Sequence, residues 1–283
     1  MIRAVIFDID GTLVASVDLH ARAWQEALAH FGHTVEFAAV RGQIGKGGDQ
    51  LLPVFVSQEE LARRGKEIEA YRSQLFKARY LPQVRALPAV RQLFERISAN
   101  GQRITLASSA KADELTAYKK IADIEDLVDE ETSADDVERS KPHPDIFAAS
   151  LGKLGDIDAT EALVVGDSPY DAEAAGKIGL RTIGLLCGGF PEKDLRKAGC
   201  ITIYRTPADL LMHFDQSPLG VGAPRPKPSR FVEHSLILAL GLAVATGIAL
   251  LAYRAVPERS QPRMGWRKTR VMRKTTWPGR WTS

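Results

Sequence analysis

Cysteine is scarce: the 283 residues hold only Cys187 and Cys200, too few for a disulfide framework and without metal-ligand spacing. Both are expected to be buried, in a chain suited to a reducing compartment. A long apolar stretch is missing from the N-terminus. MIRAVIFDIDGT carries one Arg and then a short run that meets acid at Asp8 and Asp10, which argues against a secretory signal and predicts a retained strand. Acid is nearly missing from the other end, where residues 254–283 hold nine Lys or Arg against Glu258 alone. Without that tail the chain has 29 bases and 34 acids, so the net charge of +3 hides an acidic body with a basic end. The tail's aromatics are limited to Trp266, Trp277 and Trp281, so no nucleic acid partner is expected and anionic lipid fits it better. Charge is wholly absent from residues 235–253. As a helix these 19 residues would span about 28 Å, close to the bilayer core, and they are apolar all round.

What is present is ordinary for a protein with a real core: 45% apolar and 26% charged residues. Short apolar runs at 4–9, 103–107, 162–166, 181–186 and 201–204 alternate with helical patterns such as 87–99 and 169–178. Such alternation predicts an α/β fold, a doubly wound parallel sheet with helices on both faces. Ligands of such sheets bind beyond the carboxyl ends of the strands. Asp8 and Asp10, Ser108 and Asp167 each stand at the end of one of these runs.

Residues 15–82 are too long for a crossover and too regular for a loop, with helical patterns at 19–31 and 58–80. The expected organisation is therefore a core of residues 1–14 and 83–214, and a helical cap of residues 15–82 inserted after the first strand. A Pro- and Gly-rich linker follows at 215–234, then a transmembrane helix at 235–253 and a basic tail at 254–283. With no export signal, the body is placed on the cytoplasmic face of a membrane, or in the cytoplasm if the helix does not anchor it.

FDIDGTL puts two carboxylates on the same side of a strand end, where the chain turns at Gly11. One is placed to act as nucleophile and the other to move protons. A carboxylate attacking an anionic phosphate needs a hard cation with oxygen ligands to cancel the repulsion. VVGDSPYD supplies further acids, Asp167 and, one helical turn on, Asp171. Alone, an Asp-Gly reads as a turn and a Gly-Asp-Ser as a helix cap. Ser108, followed by Ser109, ends ITLASS before a helix and suits phosphate oxygens at a helix N-terminus, although a plain cap uses the same residues. Lys141 lies in SKPHPDIF, where two prolines stiffen the approach to a helix.

DxDGT, a strand-end Ser, a Lys before Pro, and GDxxxD, in this order over residues 1 to about 214, resemble the four motifs of the haloacid dehalogenase superfamily. The resemblance implies Asp8 as nucleophile, Asp10 as acid and then base, and Ser108 and Lys141 as catalytic phosphate-binding groups with Ser109 beside them. It implies Mg²⁺ held by Asp8, the Asp10 carbonyl and Asp167, with Asp171 through water. A helical insertion between the first two motifs is similar to the C1-capped branch, which includes phosphoglycolate phosphatases, hexose-phosphate phosphatases and β-phosphoglucomutase. His20, Trp24 and Lys46 fall where those relatives often place cap-side contacts to substrate, and Lys111 falls just after the second motif; the competing readings are a packing residue at the helix start, a cap-core aromatic and two solvated lysines. Ala15 departs from the pattern, because relatives often carry an acid there.

The implied activity is hydrolysis of a small phosphate monoester, a sugar phosphate or a phosphoglycolate-like metabolite, through an aspartyl-phosphate. A phosphomutase uses the same residues, and a membrane-tethered interaction protein with a relict site is the reading from another class. A dehalogenase is disfavoured, because that branch lacks the acid that Asp10 supplies.

Overall fold

The computed structural model describes residues 1–220. Its strands and helices follow in the order β1 Ala4–Phe7, α1 Val17–His30, α2 Phe37–Arg41, α3 Gly48–Leu51, α4 Gln58–Leu75, α5 Val90–Ala99, β2 Arg103–Ala107, α6 Ala112–Ala122 and β3 Glu130–Thr132. Then come α7 Asp145–Lys153, β4 Ala162–Gly166, α8 Pro169–Gly176, β5 Arg181–Leu185, α9 Glu192–Ala198, β6 Cys200–Tyr204 and α10 Pro207–Met212. All strand pairs are parallel, in the order β3-β2-β1-β4-β5-β6. The chain therefore winds outward from β1 to one edge, returns to β4 beside β1, and winds to the other edge. That reversal opens a crevice at the carboxyl ends of β1 and β4, the place where sheets of this kind bind ligands.

Central strands are covered on both faces, which is why β1 (AVIF) and β4 (ALVVG) read as unbroken apolar runs and are buried throughout. On one face α5 buries Val90, Leu93, Phe94 and Ile97, an i, i+3, i+4, i+7 stripe. On the other, Ile146 and Phe147 of α7 and Ala174 and Ala175 of α8 pack against Ala4, Ile6, Ala162 and Val164. Strand β3 escapes the sequence pattern because its three residues, Glu130–Thr132, include two acids and form the sheet edge, where no apolar run is required.

Residues between β1 and β2 form helices α1 to α5. Val17, Ala21, Trp24 and Leu28 of α1 meet Val40, Leu51, Leu52 and Ile68 in an apolar cluster of their own. Helix α4 starts at Ser57, whose side chain accepts from the Glu60 amide. The helical pattern of 58–80 is regular only to Leu75; a wider turn over Phe76–Tyr80 and a tighter one at Leu81–Gln83, which contains Pro82, return the chain to the sheet. No helix among the described residues is long and apolar enough to cross a membrane. The expected apolar helix at 235–253 and the basic tail at 254–283 lie outside the described residues, as does all but the start of the linker at 215–234.

Candidate active site

Four side chains meet in the crevice. Lys141 is fully buried, with its Nζ 2.6 Å from Asp8 Oδ1, 2.8 Å from Asp171 Oδ1 and 3.2 Å from the Ala107 carbonyl. Asp8, Asp167 and Asp171 are buried too, and each offers a carboxylate oxygen within 4.8 Å of the others. Strands place them: Asp8 follows β1, Asp167 follows β4, and Asp171 sits one turn into α8. Asp171 also closes a capping box, its Oδ2 accepting from the Ser168 amide at 3.1 Å and the Ser168 hydroxyl at 2.7 Å. The cap reading of Gly-Asp-Ser is thus met through Ser168 and one oxygen of Asp171, while the other oxygen faces Lys141.

Three carboxylates against one ammonium leave two negative charges without compensation in a buried place. Burial pushes the Asp8 carboxyl up to about 7, with Lys141 opposing and Asp171 and Asp10 adding to the rise. Asp167 is pushed well above the ordinary range by burial and then by the charges of Asp8 and Asp171. Lys141 is held above its usual value, because Asp171 and Asp8 outweigh the opposing effect of burial. Asp171 Oδ1 is buried and lies 2.8 Å from the Lys141 ammonium, which it shares with Asp8. Three buried carboxylates with one ammonium among them fit a hard divalent cation.

Thr12 and two glycines complete the cluster, and sequence reading singled out neither Thr12 nor Gly188. The Thr12 hydroxyl lies 3.0 Å from Asp8 Oδ2 and 3.2 Å from Asp167 Oδ1, and its one proton serves one of them at a time. Gly11 has φ +84°, and a side chain there, or at Gly188, would collide with the Asp167 carboxylate. Thr12 was within reach of sequence reasoning as part of DxDGT. Gly188, far along the chain, carried no signal. Cys187 donates its thiol to the Gly11 carbonyl at 3.0 Å, and its pKa is raised to about 12 by burial and then by Asp167, so it is an inert neighbour.

The carboxylate of Asp10 stands apart from this cluster. Its Oδ1 accepts from Ser16 Oγ at 2.5 Å and faces His20 Nε2 at 2.8 Å. Burial works against its charge, but His20, Ser16 and Arg72 outweigh that and hold it at about 2. His20, expected at a substrate contact, lines the cleft, and protein groups hold its ring. Both ring nitrogens are engaged, Nε2 with Asp10 and with the Tyr118 hydroxyl at 2.9 Å, Nδ1 with Arg72, and the ring stacks on Phe76. The physical reason is burial: an imidazole 4% exposed must satisfy both nitrogens, and here protein groups do so. Arg72 and Tyr118 were not foreseen, because neither α4 nor α6 carries a motif that marks them.

Trp24, Lys46 and Ser109 line the cleft beside Asp8 and Asp10. Lys46 donates to Gln43 at 2.6 Å and lies over the Tyr170 ring at 4.6 Å. The Ser108 hydroxyl is buried and accepts from the Ala110 amide at 3.0 Å, as a cap would, which leaves its proton free to donate. The cleft continues, past Trp24, Arg72, Ser109 and Glu114, into a chamber of about 240 Å³ that Lys111 lines at its exposed side. In that chamber Glu69 has no hydrogen bond or ion pair among the described residues, and burial and then Asp49 raise its pKa.

Comparison with known proteins agrees with this geometry. The family model of the haloacid dehalogenase-like hydrolases matches residues 5–185, and the chain belongs to that family. It is an enzyme, a hydrolase. A phosphoglycolate phosphatase of Yersinia pestis is 36% identical over 196 residues, covering 66% of this chain and 82% of the relative. The crystal structure of a hydrolase from Pseudomonas syringae superposes with a TM-score of 0.69 at 30% identity, over 75% of this chain and 98% of that one. A β-phosphoglucomutase from Clostridium difficile shares the fold, with a TM-score of 0.63 at 21% identity over 76% and 96% of the two chains.

Proposed function

We propose that the protein is a Mg²⁺-dependent phosphatase of small phosphate monoesters, working through a phosphorylated Asp8. The observation that carries this reading is Lys141 beside Asp8 within a buried cluster of three carboxylates that has surplus negative charge. Asp8, Asp167 and Asp171 would hold the cation, with the Asp10 carbonyl as a further ligand; when bound it neutralises charge on the phosphate. A carboxylate oxygen of Asp8 forms a bond to phosphorus as the bond to the leaving oxygen breaks, and Asp10 supplies the proton that the leaving oxygen takes up. Asp10 then removes a proton from water, whose oxygen attacks phosphorus and releases the Asp8 carboxylate and inorganic phosphate. Asp10 is a carboxylate in the arrangement described, ready for the second step. An arriving phosphate dianion raises its proton affinity and so favours the first. Lys141 and Ser108, with Ser109 beside it, serve the phosphate oxygens.

Asp49 and Glu69 offer acceptors to the hydroxyls of a leaving group in the outer chamber, which favours a sugar or polyol phosphate. The name of the Yersinia relative supports phosphoglycolate as a second candidate. A phosphate-release screen over sugar phosphates, phosphoglycolate and nucleotides tests the reading. Return of the phosphoryl group to another sugar hydroxyl, with almost no phosphate released, would establish the mutase alternative instead.

Mg²⁺ is expected to raise the thermal midpoint, and to raise it more at about pH 8 than at about pH 5. Asp8 in the metal-free fold has its pKa raised from 3.8 to about 7, so the folded state binds more protons than the unfolded one between those values. Stability from this group is therefore present at low pH and lost as pH rises through about 7, where a cation that binds the ionised acids restores it. No shift with Mg²⁺ at either pH would remove the metal from the proposal.

The anchor rests on the uncharged run at 235–253 alone. Full-length protein is expected to sediment with membranes while a version ending near Phe214 stays in solution. Recovery of the full chain entirely in the soluble fraction would dismiss the anchor.

A further inference from the structure

Tyr118 belongs to no motif, yet its hydroxyl lies 2.9 Å from His20 Nε2, the nitrogen that faces Asp10. It comes from α6, on the core side of the cleft, whereas His20 and Arg72 come from α1 and α4. Which nitrogen of His20 carries the hydrogen follows from its neighbours. A guanidinium only donates, so Nδ1, which faces Arg72, is the acceptor and the hydrogen sits on Nε2. Nε2–H then donates to Asp10 Oδ1 at 2.8 Å. The Tyr118 oxygen, 2.9 Å from the same Nε2, has no lone pair to donate to there and shares that hydrogen as an acceptor.

The side chain is 1% exposed, so bulk water does not compete with His20 for its hydroxyl. The phenol stays protonated, because burial and then the charges of Asp10 and Glu114 oppose its ionisation. Ser16 and His20 already hold Asp10 Oδ1. The Tyr118 hydroxyl, on the same Nε2, fixes the imidazole that holds Asp10 Oδ1, and Asp10 lines the cleft together with Asp8.

We infer that Tyr118 is a positioning residue for Asp10: its hydroxyl locks the His20–Asp10 pair in the orientation needed to pass a proton to the leaving oxygen. The inference rests on the reading of Asp10 as the proton-transfer group. A side chain that acts only through Asp10 matters in proportion to the leaving group's need for a proton, whereas one that merely supports the fold affects every substrate alike.

Tyr118→Phe removes the hydroxyl and keeps the ring that packs in the core. The quantity to compare is kcat/KM, which reports the steps through first phosphoryl transfer, for two esters: p-nitrophenyl phosphate, whose leaving group departs without a proton, and the alkyl phosphate turned over fastest in the phosphate-release screen. The alkyl ester should lose about 10-fold, part of the roughly 100- to 10,000-fold that proton transfer contributes. The aryl ester should change less than about 2-fold. In an Asp10→Asn background the same substitution should add no further loss for the alkyl ester, because the group it serves is gone. Equal losses on both esters, including loss of both through misfolding, or no loss on either, would overturn the inference. Wild-type turnover of both esters is the separate check on the phosphatase reading.

Discussion

Asp8→Asn is expected to abolish both turnover and the phosphoenzyme, whereas Asp10→Asn should keep phosphate binding and lose roughly 100- to 10,000-fold in turnover. The difference follows from position. Asp8 is inside the charge cluster, 2.6 Å from the Lys141 ammonium, and is the proposed nucleophile. Asp10 is outside it, its Oδ1 held by Ser16 and His20, and it is the proposed proton-transfer group. With an activated phosphoryl donor whose leaving group needs no proton, the Asp10 variant should still phosphorylate Asp8 and then hydrolyse slowly. Mass spectrometry of the intact chain reads that trapped species directly. An Asp8→Asn variant as active as wild type would end the mechanism.

Lys141→Met is the second large effect. The substitution removes the one ammonium from a buried site that holds Asp8, Asp167 and Asp171, and it leaves a thioether of similar length among carboxylates. Breaking a buried ion pair from one side typically costs about 3–5 kcal/mol. The loss here should fall short of that, because Asp8 and Asp167, already pushed up by burial, escape by taking protons. Turnover should fall by roughly 100- to 1,000-fold, the scale of removing one preorganised group that stabilises charge in the transition state. Denaturant unfolding together with initial rates separates the two consequences. A variant within about 2-fold of wild type in rate would show that Lys141 only balances charge in the resting fold.

Much of the site is legible in the sequence because parallel α/β sheets put chemistry at strand ends. Strands β2 and β4 coincide with the apolar runs 103–107 and 162–166, and the polar residues that follow β1 and β4 are Asp8 and Asp167. Lys141 was legible for another reason, its place in SKPHP before α7. Edge strand β3, with no apolar run of its own, was not legible. Nor was the partnership of His20: a histidine on an amphipathic helix can face a substrate or a carboxylate, and only the packing of α1 against α4 and α6 decides.

Local chemistry determined the proposed nucleophile, its neighbour two residues on, the lysine and the acids of GDxxxD as candidates, because each is written in a short segment whose backbone conformation is local. Only the tertiary structure decided how these groups share charge. It put Asp171 on both Ser168 and Lys141, set Asp10 apart from the other acids, and brought Arg72 and Tyr118, 46 positions apart in sequence, to the same histidine. Electrostatic and hydrogen-bond energies depend on distance in space and on the exclusion of water, and neither is a property of residues close together along the chain.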